Sequence, residues 1–186
     1  TPVPDPIPLS GSAVAITGGA RGIGYATAKA FLAQGARVFI GDLDADLAKA
    51  SAAELGCAGT GLDVRSRESF AEFLAGVAGP LHVLVNNAGI MPAGPFAEEL
   101  DAVTDAIVDV NLNGVLRGTK LALPGMLERG TGHIVNVAYY LGVVPAAGLA
   151  TYCATKHAVV GFSEALRDEL AGTGVTVTTV LPSAVR

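Results

Sequence analysis

Short apolar runs recur along the chain, and stretches with helical spacing lie between them. Ala13-Val14-Ala15-Ile16 is the first run, uniformly apolar as a strand covered on both faces must be. It enters Thr17-Gly18-Gly19-Ala20-Arg21-Gly22-Ile23-Gly24 and then a helical pattern through Ala33, which Gln34-Gly35-Ala36 stops. A second strand is expected over residues 37–40, closing at Gly41-Asp42, then a helix over about 45–55. A third strand is expected near 58–61, a helix over 67–77, and a fourth strand over 81–85 that ends at Asn86-Asn87-Ala88-Gly89. One long helix should cover roughly 102–127, with Pro124 kinking it or marking an irregular last turn. Residues 133–137 read as the fifth strand, and a helix opening at Thr151 runs to about 170. The sixth strand, 175–180, is β-branched at every position. Strand and helix alternate throughout, which predicts an α/β fold: a doubly wound parallel sheet with helices on both faces. No repeat or linker interrupts the pattern, so residues 9–186 are expected to form a single domain. Residues 1–8, with four prolines, read as an extended tail.

Composition narrows the function classes. The 186 residues are 51% hydrophobic with 24 glycines and no Trp, which suits a compact Ala/Val/Gly-rich α/β protein. A net charge of −5 leaves no basic footprint, so no nucleic-acid partner is expected. No apolar run approaches the ~20 residues of a bilayer span, so no membrane partner is expected. The first residues lack a basic start and apolar run. Cys57 and Cys153 are far apart and make no metal spacing; both read as reduced small core residues of a cytoplasmic protein. His82 and His133 begin strands without ligand partners in sequence, His157 points about 100° away from Lys156 around its helix, and no metal site is expected. Glu98, Glu99 and Asp101 lie near a helix start and read as solvated complements to its dipole.

Two stretches carry chemistry. The turn from Thr17 to Gly24 sits between a strand and its helix, where a dinucleotide binds. Gly18 permits the tight turn, Gly22 lets a pyrophosphate approach the backbone, and Gly24 lets helix and strand pack closely; amides at the helix start, around Arg21 and Ile23, face the anion. Asp42 closes the second strand 18 residues after Gly24. A carboxylate there accepts from the adenosine ribose hydroxyls and repels a 2′-phosphate, which favours NAD over NADP, although Arg21 is a cation that could meet that phosphate. Asp63-Val64 reads as a contact to the adenine edge or as a loop cap. The second stretch is Tyr152 and Lys156, four residues apart and therefore on one helix face. An ammonium there is expected to lower the phenol's pKa from near 10 and so prepare it to exchange a proton with a carbonyl or alcohol oxygen. The plain alternative is a half-buried Tyr packed beside a snorkelling Lys.

These pieces, with Asn111, occur in the order and at the intervals of a family: over residues 9–186 the chain resembles the short-chain dehydrogenases/reductases, with a Rossmann-like fold. The resemblance implies hydride transfer between NAD(H) and a small-molecule secondary alcohol or ketone. It implies Tyr152 as acid/base and Lys156 as the group that lowers its pKa and binds the nicotinamide ribose. It implies that Asn111 holds a water linking Lys156 to solvent. Asn86 would be structural, Asn87 would lie near the cofactor ribose with Ala88 and Gly89 beside it, and Pro182 would belong to the loop that meets the nicotinamide. A homodimer or homotetramer through the long helices is also implied, with Ala154, Ala158 and Gly161 allowing close contact.

Two departures stand out. The family places a substrate-binding serine about 13 residues before its tyrosine, and here that position is Tyr139. Tyr139 either supplies the hydroxyl from another angle, fills the carbonyl site, or does not record the natural residue. Losing such a donor costs ~10²–10³ in rate, so impaired chemistry is expected. A dinucleotide-binding module acting as a scaffold or sensor is the alternative reading, and a purely structural subunit of an oligomer a third. The chain also stops at Arg186, short of the family's substrate-covering segment and last strand, and an incomplete record is expected.

Overall fold

In the structure, a computed structural model that describes residues 7–183, six parallel strands form one sheet in the order β3-β2-β1-β4-β5-β6. The strands are β1 (Ala13–Thr17), β2 (Arg37–Asp42), β3 (Ala58–Gly61), β4 (Leu81–Asn86), β5 (Gly132–Val137) and β6 (Val175–Val180). Helices α1 (Gly22–Ala33), α2 (Ala45–Leu55), α3 (Arg67–Ala75), α4 (Asp101–Val108), α5 (Gly114–Arg129) and α6 (Ala150–Glu169) connect them. The expected tail falls mostly on residues 1–6, outside the described residues. Among the described residues no helix is long and apolar enough to cross a membrane.

The period-2 alternation of β1 explains the layering. Val14 and Ile16 face one side, where they pack with Ala28 of α1, Val38 and Ile40 of β2 and Ala52 of α2. Ala15 faces the other, with Phe70 and Phe73 of α3, Ala122 and Met126 of α5 and Leu166 of α6. The strand order reverses at β1/β4, so a crevice opens beyond their carboxyl ends, the place where such sheets bind ligands.

The expected irregularity at Pro124 is corrected. Pro124 lies inside α5, which continues to Arg129; the break is earlier, in a π-helical turn at Asp109–Asn113 between α4 and α5. Side chains account for it. The Asp109 carboxylate accepts from Asn113 Nδ2 at 3.0 Å and Arg117 Nη2 at 2.8 Å, which pins the widened turn from outside. Asn111 is drawn inward and fully buried. A wide turn of this kind often marks a functional site.

Candidate active site

The Gly-rich turn is built by backbone contacts that only glycine allows. A side chain at Gly24 would run into the Gly18 carbonyl oxygen and stand 2.6 Å from Asn87 Nδ2. Gly18 adopts φ +62°, and a Cβ there would lie 2.9 Å from Ala88 Cα. Gly22, at φ +55°, differs: nothing lies within 4 Å of where its side chain would be. That open space lies at the start of α1, whose first turn has neither a capping side chain nor an acidic residue. Free amides beside open space suit a pyrophosphate, so the turn fits the dinucleotide expected of it.

Asn87 serves the same turn. Its Nδ2 donates to Thr17 O at 2.9 Å and Gly18 O at 3.0 Å. The Thr17 hydroxyl accepts from the amides of Asn87 and Ala88, both at 3.0 Å. Thr17 was not singled out from sequence, though a Thr closing a strand directly before the glycines is the visible signal. Asp42 is buried; its carboxylate accepts from the amides of Ala20 and Asp44, each at 3.3 Å, and lies 3.9 Å from Arg21 Nη2. The Asp63 carboxylate is engaged by Arg65 in a paired contact, Nη2 at 2.8 Å, and these hydrogen bonds hold its pKa below the usual range. Its neighbour Val64 is buried against Gly114. Gly18, Arg21, Ile23, Asp42, Asp63, Val64, Asn87, Ala88 and Gly89 together line one cleft of about 420 Å³.

At Gly89 the cleft meets the candidate catalytic groups. A side chain there would stand 3.3 Å from Asn111 Oδ1 and 3.6 Å from Lys156 Nζ. The Asn111 amide is spent on the backbone of Ile90, accepting from its N–H at 2.8 Å and donating to its carbonyl at 2.9 Å. Its side chain thus anchors the segment after β4. Lys156 Nζ donates to Val137 O at 2.9 Å and lies 5.6 Å from the Tyr152 ring centroid. Its ammonium makes no ion pair among the described residues.

The expected lowering of the phenol's pKa is reversed here. Burial pushes Tyr152 up to about 12, with Tyr139 adding to the rise. The same burial lowers Lys156 to about 8. Each group is pushed towards its neutral form, because burial disfavours the charged one.

Tyr139 lies two residues past the end of β5 and is the one non-glycine described residue with positive φ, at φ 69° and ψ 157°. Its ring meets Tyr152 edge-on, centroids 6.2 Å apart. Tyr140 N–H donates to Pro182 O at 2.9 Å, which joins this corner to the loop after β6.

Polar partners missed from sequence support these residues. Asn86 Nδ2 donates to Asn136 Oδ1 at 2.9 Å, and Asn136 Nδ2 to Ser163 Oγ at 2.9 Å, a buried chain that ties β4, β5 and α6 together. The expectation that Glu99 is simply solvated is corrected: it accepts hydroxyl hydrogen bonds from Thr104 and Thr151. Two threonines on different helices offered no signal in sequence.

The comparisons with known proteins agree with this construction. The chain matches the short chain dehydrogenase family over residues 12–186. It is 40% identical over 185 residues to 2,5-dichloro-2,5-cyclohexadiene-1,4-diol dehydrogenase LinX of Sphingobium indicum, covering 95% of this chain and 74% of that protein. It is also 40% identical over 185 residues to 2-(S)-hydroxypropyl-CoM dehydrogenase 3 of Xanthobacter autotrophicus, covering 95% of this chain and 72% of that one. Among solved structures, a variant of actinorhodin polyketide ketoreductase with NADPH superposes with TM-score 0.92 at 40% identity, covering 95% of this chain and 71% of that one. A short chain dehydrogenase/reductase from Burkholderia phymatum in complex with NAD does so with TM-score 0.93 at 28% identity, covering 96% and 68%. The chain belongs to the short-chain dehydrogenase/reductase family, a family of oxidoreductases that use NAD or NADP.

Proposed function

We propose that this chain transfers a hydride between NAD(H) and a secondary alcohol or its ketone, with Tyr152 as the group that gives or takes the proton. The observation that carries this reading is that Asn111 and Lys156 converge on Gly89, at the edge of the cleft lined by the Gly-rich turn and Asp42, while Lys156 Nζ lies 5.6 Å from the Tyr152 ring centroid. When bound, the dinucleotide supplies the hydride; the protein supplies position and protons.

The amides around Gly18, Gly22 and Ile23 would receive the pyrophosphate. Asp42 would accept from the adenosine ribose, and its buried carboxylate favours NAD, with Arg21 only partly offsetting it. Asp63 and Val64 would border the adenine end, while Asn87, Ala88, Gly89 and Pro182 would border the ribose and nicotinamide end. Tyr152 is protonated near neutral pH, since its pKa is about 12. It therefore donates to the carbonyl oxygen in the reductive direction. The Lys156 ammonium would favour the phenolate left behind and would bind the nicotinamide ribose. With a pKa of about 8, that ammonium is lost in mildly alkaline solution, so reduction slows as pH rises through about 8.

One observation favours a second reading, a dinucleotide-binding module with impaired turnover. Tyr139 packs against Tyr152 where the family has a small hydroxyl donor. NADH oxidation over a ketone panel, with NADPH as control, separates the two when the parent and Tyr139→Ser run side by side. Turnover in both supports the enzyme. Turnover only in Tyr139→Ser supports a scaffold silenced at one position, and silence in both with NADH bound favours the binding-module reading. The proposed homodimer or homotetramer rests on the exposed small face of α6, Ala154, Ala158 and Gly161, and sedimentation velocity tests it.

A further inference from the structure

Glu99 stands outside the catalytic cluster, in the segment between β4 and α4. Its Oε1 accepts from Thr104 Oγ1 of α4 at 2.6 Å and from Thr151 Oγ1, in the first turn of α6, at 2.5 Å. Thr151 is buried and immediately precedes Tyr152. Neither helix start has a side-chain cap, because Leu100 and Leu149 occupy the capping positions. The first turn of α6 also carries no acidic residue. Helix starts present unpaired amides and partial positive charge. One carboxylate, reached through two hydroxyls, therefore complements both. A backbone bond from Gly94 N–H to Gly148 O, at 2.9 Å, fastens the same segment to the approach to α6. The hydroxyl hydrogen bonds hold the Glu99 pKa below the usual carboxylate range, so the anion persists at neutral pH.

We propose that Glu99 is a positioning residue: by holding Thr151 it fixes the first turn of α6, and with it the direction in which Tyr152 presents its hydroxyl to the cleft. The segment after β4 is thereby coupled to the acid/base. The catalytic half of this inference rests on the proposed function; the mechanical half does not.

The test compares the parent with Glu99→Ala, Glu99→Gln, Thr151→Val and the Glu99→Ala/Thr151→Val pair. The first readout is amide hydrogen exchange over residues 150–156. Each single removal should speed it about tenfold, the pair should be no faster than either alone, and Glu99→Gln, which keeps an acceptor, should restore most of the protection. The second readout is kinetic: kcat should fall about tenfold in the removal variants at unchanged KM for NADH, as expected when the acid/base is misplaced and the cofactor is not. Additive exchange effects, unchanged exchange in Glu99→Ala, or a lowered Tm with kcat and exchange unchanged would each overturn the proposal. No turnover in the parent would sink the proposed function and the catalytic half with it, while the exchange data would still decide the mechanical half.

Discussion

Lys156 offers the sharpest test of the site's electrostatics. Lys156 is 4% exposed, and its ammonium has one carbonyl acceptor, Val137 O at 2.9 Å. Burial lowers its pKa to about 8, against about 10.4 for an ordinary lysine. The sign follows from proton counting. Below about pH 8 both folded and unfolded chains hold the proton, and the cost of burying the charge is present in full, roughly 3 kcal/mol. Between about 8 and 10.4 the unfolded chain holds the proton and the folded one does not, so stability rises with pH. Integration from about pH 7 to about pH 9.5 gives a gain of about 2 kcal/mol. Lys156→Met keeps the stem and removes the charge, so the variant should lack this rise. Urea unfolding of the dinucleotide-free protein and of Lys156→Met at both pH values measures it as the difference of two differences. Other groups cancel in that comparison, including the Cys57 thiol, whose pKa burial raises and whose slope has the opposite sign. Parallel pH dependences in the two proteins would refute the reasoning and show that the ammonium is solvated or paired.

Three further outcomes are expected. Gly24→Ala forces a methyl against the Gly18 carbonyl and should cost at least about 1–3 kcal/mol by thermal unfolding; Gly22→Ala meets open space, so its stability cost should be limited to the strain of a side chain at φ +55°, about 1 kcal/mol, and it should weaken NADH binding, read by fluorescence titration. Asp42→Asn removes the charge proposed to repel a 2′-phosphate, and the NADPH/NADH ratio of kcat/KM should rise about tenfold or more; an unchanged ratio would remove Asp42 from the specificity argument. At position 139 the usual order should invert, with Tyr139→Gly more stable than Tyr139→Ala by about 1–2 kcal/mol, because only Gly relaxes the strain at φ 69°; equal urea midpoints would show that no strain is stored there.

The fold was readable because the apolar runs are short and bounded by turns. Ala13 to Ile16 admits no helix of useful length, and its alternate residues serve both layers. The Gly-rich turn and the Tyr152/Lys156 spacing were readable because local geometry dictates them. The π-turn at Asp109–Asn113 was not, because it is held by Arg117, eight residues from Asp109, and by the inward pull of Ile90 on Asn111. Pro124 drew attention instead because proline is the commonest local cause of a kink. The shift of Tyr152 was misread for a similar reason. Spacing places an ammonium near a phenol, but desolvation depends on every element packed around it, and that quantity has no signature in a five-residue window. Glu99 joins two helices through residues 5 and 52 positions away, a contact that exists only after folding.

Among the described residues, Tyr139 bears most directly on the choice between the proposed enzyme and a binding module. Asn111 is fixed by both polar groups of Ile90, Lys156 by Val137 O, and the helix carrying Tyr152 by Glu99 through Thr151. Among these residues Tyr139 alone combines backbone strain with contact to the Tyr152 ring. Strain of that kind survives only where the surroundings over-determine it, and here three bonds do so: Ala138 N–H to Val180 O, Tyr140 N–H to Pro182 O and Gly142 N–H to Tyr139 O, each at 2.9 Å. These bonds belong to the corner between β5, β6 and the start of the nicotinamide-side loop, and they hold whatever side chain stands at 139. A serine placed there would inherit the same backbone without the ring that meets Tyr152. On the proposed reading, the ring at 139 is therefore the feature whose removal should change turnover most while leaving the backbone of this corner as it is.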